Sequence, residues 1–61
     1  MKTLKGMMVM RESEKLIICY AQFDMGDKYK IYQKKDGHYN YLLSFPSITA
    51  AYNYYDMLFK G

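Results

Sequence analysis

The chain has 61 residues, of which 51% are hydrophobic and 25% charged, and its formal net charge is +3. This length predicts one small domain (1–61) and leaves no room for a large enclosed substrate cavity. The apolar runs are too short for a transmembrane helix or a signal-peptide core, and a single cysteine, Cys19, excludes an intramolecular disulfide and a cysteine-based zinc site. We therefore expect a cytoplasmic protein in a reducing compartment, with no cofactor, metal or membrane partner.

The N-terminal half of the chain predicts two strands. Residues 15–23, KLIICYAQF, are β-branched and aromatic on both faces, which is typical of a strand covered on both sides. Residues 6–11 predict a preceding strand, whose turn lacks glycine and leaves the register open. If the two strands pair symmetrically, they share faces as follows: Met7 and Val9 with Cys19, and Met8 and Met10 with Ile18.

The next two strands, 28–34 and 38–45, each follow a turn that contains glycine. Residues paired across antiparallel strands point to the same side of the sheet. Three-residue loops with glycine in the third, left-handed position keep the apolar residues on one face, whereas two-residue loops mix the faces. The predicted loops and pairs are therefore Asp24-Met25-Gly26, with Cys19 opposite Ile31, and Lys35-Asp36-Gly37, with Ile31 opposite Tyr41.

The C-terminal segment predicts an amphipathic helix over 48–60, because its apolar residues recur at helical spacing. The core-facing residues of this helix are predicted to be Ile48, Ala51, Tyr52, Tyr55, Leu58 and Phe59. Pro46 ends the last strand, Ser47 is the expected N-cap, and Gly61 is the expected C-terminal left-handed residue. We expect the helix to cover the sheet face that carries Cys19, Ile31 and Tyr41, to which Phe23 also belongs. The predicted fold is thus α+β: a three- or four-stranded antiparallel meander with one C-terminal amphipathic helix packed on one face.

The opposite face of the predicted sheet remains uncovered and mixes apolar and tyrosine side chains with lysines. Monomers rarely expose an apolar patch of this size, and a chain this short gains stability from association. We therefore predict a homodimer that uses this face or the exposed sheet edge. The predicted partner-binding residues are Met8, Met10, Leu16, Ile18, Tyr20, Lys30, Tyr32, Lys34 and Leu42.

Side chains that could carry chemistry are few. His38 is the single histidine and stands at a hairpin tip, and Cys19 has the mid-strand position of a core thiol. The six acidic residues lie mostly in or beside turns, where turn formation and solvation account for them. No phosphate-binding glycine loop, zinc motif or calcium loop is present. We therefore predict that the chain is not an enzyme and has no catalytic residues.

Two binding functions remain. The first is a small protein-binding module, an inhibitor or regulator of a host protein encoded by a phage or mobile element. Methionine and tyrosine adapt to irregular protein surfaces, a lysine rim favours an acidic partner, and the small size and the residues with AT-rich codons suggest the origin. The alternative is a small sheet-type nucleic-acid-binding protein that uses the Lys28–Lys35 hairpin, with Tyr20 and Tyr32 nearby.

Overall fold

The computed structural model describes residues 2–60, so the predicted cap at Gly61 lies outside the described residues. One antiparallel sheet has its strands in chain order: β1 (Thr3–Leu4), β2 (Met7–Glu12), β3 (Leu16–Tyr20), β4 (Tyr29–Lys35) and β5 (His38–Phe45). A single helix, α1 (Ile48–Lys60), follows the sheet. The α+β class is confirmed. The sheet is a curled half-barrel of five strands, however, and not the predicted three or four.

The additional strand, β1, depends on a tight turn. Lys5 and Gly6 both have positive φ, 52° and 81°, as a two-residue hairpin turn requires. This turn folds Thr3–Leu4 back antiparallel onto β2. Two residues are too few to show the alternation by which strands are recognised in a sequence, so only the Lys-Gly pair signalled this hairpin.

The β4–β5 turn contains two residues and not the predicted three. Asp36 and Gly37 have φ values of 52° and 78°, and Lys35 pairs directly with His38. Positive φ at both central residues is the geometry of a type I′ turn, whose twist matches that of the flanking strands. Glycine adopts this conformation without steric cost, and aspartate tolerates it better than most residues.

A bulge in β5 explains why the two-residue turn does not mix the faces. Ile31 pairs with Leu43, but the next residue of β4, Tyr32, pairs with Tyr41. Leu42 is therefore the extra residue and has no partner in the ladder. The predicted three-residue loop was wrong because the bulge absorbs the residue that a regular ladder would place on the opposite face.

The β3–β4 pairing differs from the prediction by one residue. Ile18 lies opposite Ile31, whereas the sequence pattern had placed Cys19 there. The predicted strand over 15–23 ends at Tyr20, and the connection to β4 is longer than the predicted Asp24-Met25-Gly26 loop. A slip of one residue exchanges the two faces of a strand, so this difference moves every side chain of β3 relative to β4.

On β3 the helix packs on the face opposite to the predicted one, whereas Ile31 of β4 lies beneath the helix as predicted and Tyr41 of β5 does not. Leu16, Ile18 and Ile31 form the core beneath it, together with Ala51 and Tyr55 from the helix. The predicted N-cap is confirmed, because the Ser47 hydroxyl accepts a hydrogen bond of 3.1 Å from the backbone N–H of Ala50. The prediction that the helix covers Cys19 was wrong because the register of β3 against β4 differs from the predicted register by one residue.

A second, smaller cluster lies on the face without a helix, which we call the concave face. Its buried residues are Ile17, Cys19 and Tyr32. The curl of the sheet covers them with partly buried residues from the outer strands and from β2: Leu4, Met7, Val9 and Tyr39. The expectation that β3 is covered on both sides is therefore confirmed. Within residues 2–60, no helix has the length and apolar character needed to cross a bilayer.

Candidate protein-binding surfaces

The predicted partner-binding residues do not share one exposed face. Leu16 and Ile18 are buried beneath α1, and Ile18 has no exposed surface at all. Tyr32 is buried on the concave face, which is the other side of the sheet. None of these three residues is more than 7% exposed, so they do not form the free outer face that the sequence predicted, although Leu16 retains some surface at the groove described below.

The other predicted partner-binding residues are divided between the two faces. On the helix side, Met10 packs against the core, and the Tyr20 ring lies 5.1 Å from the ring of Tyr29. Met8 and Leu42 are the exposed apolar members of the set. The two lysines are engaged in ion pairs: Lys30 with Asp24, at 2.6 Å, and Lys34 with Glu12, at 2.6 Å.

Glu12 is the main anionic anchor of the concave face. It binds the ammonium of Lys2 through one carboxylate oxygen and that of Lys34 through the other. The hydrogen bond from Lys2, followed by that from Lys34, lowers the pKa of Glu12 below its ordinary value. Lys34 also donates to the backbone carbonyl of Ser13 at 3.1 Å, so the cluster ties β4 to the end of β2.

Tyr41 is the aromatic side chain that the concave face presents to solvent. It is 53% exposed, and its ring centroid lies 5.7 Å from that of Tyr32. The ammonium of Lys30 lies 5.8 Å from the Tyr41 ring, and that of Lys5 lies 5.3 Å from the Tyr32 ring. This surface is therefore basic and aromatic, but Lys30 is already paired with a carboxylate and Tyr32 is buried.

A concavity lies on the helix side of the sheet, where α1 ends above the strands. This C-terminal groove has a volume of about 550 Å³. Its walls come from the β2–β3 turn, the last turn of α1 and the β5 bulge. The lining residues are Ser13, Glu14, Lys15, Leu16, Gln33, Leu42, Leu58, Phe59 and Lys60. Four of these are large apolar residues, and the polar ones lie mainly in the turn and at the helix end.

Two of the apolar groove residues are well exposed. Leu42 is 41% exposed because the bulge leaves it outside the regular ladder, and Phe59 is 65% exposed although its ring stacks on Tyr55 at 6.3 Å. The helical periodicity had predicted Phe59 as a core residue. Phe59 lies at the end of α1 beside the groove, a position that helical spacing cannot reveal.

Charges at the rim of the groove favour an anion. Lys15 and Lys60 are both exposed, and neither belongs to an ion pair among residues 2–60. Glu14 is the one acidic side chain that lines the groove. The side chains of residues 2–60 that line the groove therefore carry one excess positive charge beside the apolar walls.

A second exposed apolar feature lies in the β3–β4 loop, at the other end of β3. Phe23 is 90% exposed and Met25 is 98% exposed. The sequence pattern had placed Phe23 on a core face as a continuation of β3, which is wrong because the strand ends at Tyr20. These two side chains do not line the groove, which lies at the opposite end of β3, so they provide an apolar reference surface.

The described residues contain little that resembles a catalytic site. Cys19 is fully buried, and burial raises the pKa of its thiol, which disfavours the reactive thiolate. Across residues 2–60, no group of three or more histidine, cysteine or acidic side chains is arranged to hold a metal ion. No family model matches the chain, and no curated protein or solved structure shows significant similarity to it.

Proposed function

We propose that this chain is a small, non-enzymatic protein-binding module that docks a segment of a partner protein in the C-terminal groove. The observation that supports this proposal is the combination of apolar walls with two lysines that form no ion pair within residues 2–60, in one concavity. Exposed apolar side chains of monomers are normally scattered, whereas Leu42, Leu58 and Phe59 line a single groove.

The groove favours a segment with an apolar side chain next to carboxylates. A volume of about 550 Å³ accommodates one or two large side chains but not a folded domain. Leu16 and Leu58 offer apolar contact at the walls, and the ammonium groups of Lys15 and Lys60 are available to acidic neighbours of the inserted side chain. The charges accelerate association more than they strengthen the complex, which depends on the apolar contact.

The biological role that we propose is inhibition or regulation of a host protein by a product of a phage or mobile element. The small size of the chain and its abundance of lysine, tyrosine and methionine support this origin. By binding a segment of the target protein in its groove, the chain would block another contact that the target makes through that segment.

A displayed library of random peptides, selected against the folded chain, tests the groove. We expect the selected peptides to combine acidic residues with a large apolar residue. Phe59→Ser removes an exposed aromatic ring from the groove wall. It should weaken peptide binding by about tenfold or more, because the contact between the ring and the inserted side chain is lost. Met25→Ser removes a more exposed apolar side chain at the other end of β3 and is the matched control, with unchanged binding.

Two results would overturn the groove as the binding site. One is selected peptides without acidic residues, and the other is equal binding to wild type and Phe59→Ser. Circular dichroism of each variant establishes that the fold is retained. Because Phe59 and Met25 are both exposed, neither substitution removes a buried residue of either cluster.

A second candidate function, binding of single-stranded nucleic acid, is favoured by Tyr41 and Lys5 on the concave face. Tyr41 offers an exposed ring for base stacking, and Lys5 belongs to no ion pair among the described residues. Tyr32 and Lys34, which the sequence pattern had assigned to this role, are buried and paired with a carboxylate, respectively. Binding of labelled oligonucleotides that falls steeply with salt and is abolished by Tyr41→Ala, but not by Phe59→Ser, would establish this alternative.

A further inference from the structure

The two edges of the sheet are built differently. At one edge, β1 has only two residues and is flanked by Lys2 and Lys5. Very short strands and lysines are devices by which proteins prevent their sheet edges from pairing with other chains. At the other edge, β5 has eight residues, and no further strand of the described chain pairs with its outer side.

The sequence of β5 lacks the charges that protect an edge strand. Its eight residues, HYNYLLSF, include no lysine, arginine, aspartate or glutamate. The neighbouring β4, which is paired on both sides, carries three lysines in seven residues. The charged side chains are thus in the central strand and absent from the edge strand, the reverse of what an unpaired edge requires. This distribution points to a partner strand along β5.

We propose that β5 pairs with β5 of a second copy of this chain, antiparallel about a two-fold axis at Asn40, so that two five-stranded sheets become one. This inference does not rest on the function proposed for the C-terminal groove, although Leu42 both lines the groove and ends the proposed pairing. It retains the predicted homodimer and, of the two predicted contacts, favours the exposed sheet edge, because α1 covers Leu16 and Ile18 of the face that was expected to be free.

The faces of β5 agree with this register, which pairs the longest stretch of β5 between the turn and the bulge. Tyr39 and Tyr41 lie on the concave face, where Tyr39 packs against the buried cluster and Tyr41 contacts Tyr32. Asn40, between them, pairs with Gln33 and belongs to the helix side. With the axis at Asn40, Tyr39 of each copy lies opposite Tyr41 of the other on the same face, as paired residues must.

The bulge excludes the neighbouring centre. If the axis lay at Tyr41, Tyr39 would face Leu43, which packs on the helix side of the sheet. The pair would then join side chains from opposite faces. The segment from His38 to Leu42 therefore pairs with itself, and the bulge ends the ladder at Leu42.

The chemistry of this edge favours a second copy over a foreign strand. A strand without charges offers no electrostatic selectivity for another protein, whereas two copies place tyrosine opposite tyrosine twice and meet no like-charge repulsion. A two-fold contact is also self-complementary, so that each favourable pair occurs twice.

Sedimentation equilibrium and a single-cysteine cross-link test the proposal together. We expect twice the chain mass of 7.3 kDa at micromolar concentration. Asn40→Cys should cross-link to its symmetry mate through a short bis-maleimide, since directly opposed residues have adjacent Cβ atoms. Asn53→Cys, an exposed asparagine on α1, is the matched control and should stay uncross-linked, and the buried Cys19 gives no background.

A charge at the axis provides the complementary test. Asn40→Lys places two ammonium groups opposite each other at the two-fold axis. Because like charges repel, the dimer dissociation constant should rise by about fivefold, and high salt should reverse this effect. Asn53→Lys adds the same charge on the helix and should leave that constant unchanged. A monomeric wild-type chain would overturn the proposal, as would a dimer that Asn40→Cys fails to cross-link and Asn40→Lys fails to weaken.

Discussion

The guanidinium of Arg11 lies 4.1 Å from the ring centroid of Tyr52 and joins β2 to α1. A bulge in β2 makes this contact possible. Val9 pairs with Cys19, but the next paired residue of β2 is Arg11, opposite Ile18, so that Arg11 points to the helix side. The same guanidinium lies 3.3 Å from the carboxylate of Asp56. The only arginine of the chain thus holds the helix against the sheet.

Arg11→Ala should lower the free energy of unfolding by about 1 kcal/mol, since the stacked guanidinium contributes more than a half-exposed ion pair. Asp56→Asn removes the ion pair alone and should cost roughly 0.5 kcal/mol or less. Urea unfolding of both variants measures the difference. Equal losses would show that the charge pair, and not the contact with Tyr52, secures the helix.

The sequence was sufficient to predict the helix and four of the five strands, but not which side of the sheet each residue of β3 faces. The helix over 48–60 and its cap at Ser47 follow from local signals, namely apolar spacing and a hydroxyl at the right position. The assignment of faces required the exact register, and the β3–β4 loop carries no local signal for it. An error of one residue in the predicted register placed Cys19 under the helix, where the structure has Ile18.

The candidate binding surface was harder to predict for the same reason. Leu42 was included because of its hydrophobicity, and it is exposed, but it owes its position to a bulge that no periodicity indicates. Phe59 had the spacing of a core residue and lies instead at the groove. Bulges and helix ends depend on tertiary packing, which a single sequence does not contain.

The exchange of faces predicts opposite effects for two residues that the sequence pattern treated alike. Ile18→Ala empties a fully buried site under α1 and should cost about 3 kcal/mol, which is a large part of the stability of a domain this small. Leu42→Ala trims a side chain outside the ladder and should cost less than about 1 kcal/mol. Thermal unfolding compares the two, and similar losses would contradict the register described here.

The β4–β5 turn predicts a penalty at Gly37. Its φ of +78° lies in the left-handed region, so Gly37→Ala should destabilise the chain by about 1 kcal/mol, although no atom lies near the added methyl group. Asp36→Asn at the preceding position, also left-handed, should be neutral or slightly stabilising because asparagine suits type I′ turns. A neutral Gly37→Ala, measured by urea unfolding, would indicate a turn of another type.

Glu12 predicts how stability depends on pH. Its pKa is lowered in the folded chain, chiefly by the hydrogen bond from Lys2, so its contribution is present above the ordinary value of 4.5 and is lost as the pH falls through the folded pKa. Glu12→Gln should therefore be less stable than wild type at neutral pH, and the difference should shrink steadily below pH 4.5. Glu14 is an acidic neighbour that forms no ion pair among residues 2–60. Glu14→Gln is therefore the control, and its stability should depend on pH as that of the wild type does. Urea unfolding across this pH range measures the effect, and a difference between wild type and Glu12→Gln that stays constant with pH would show that the two lysines do not stabilise the Glu12 carboxylate.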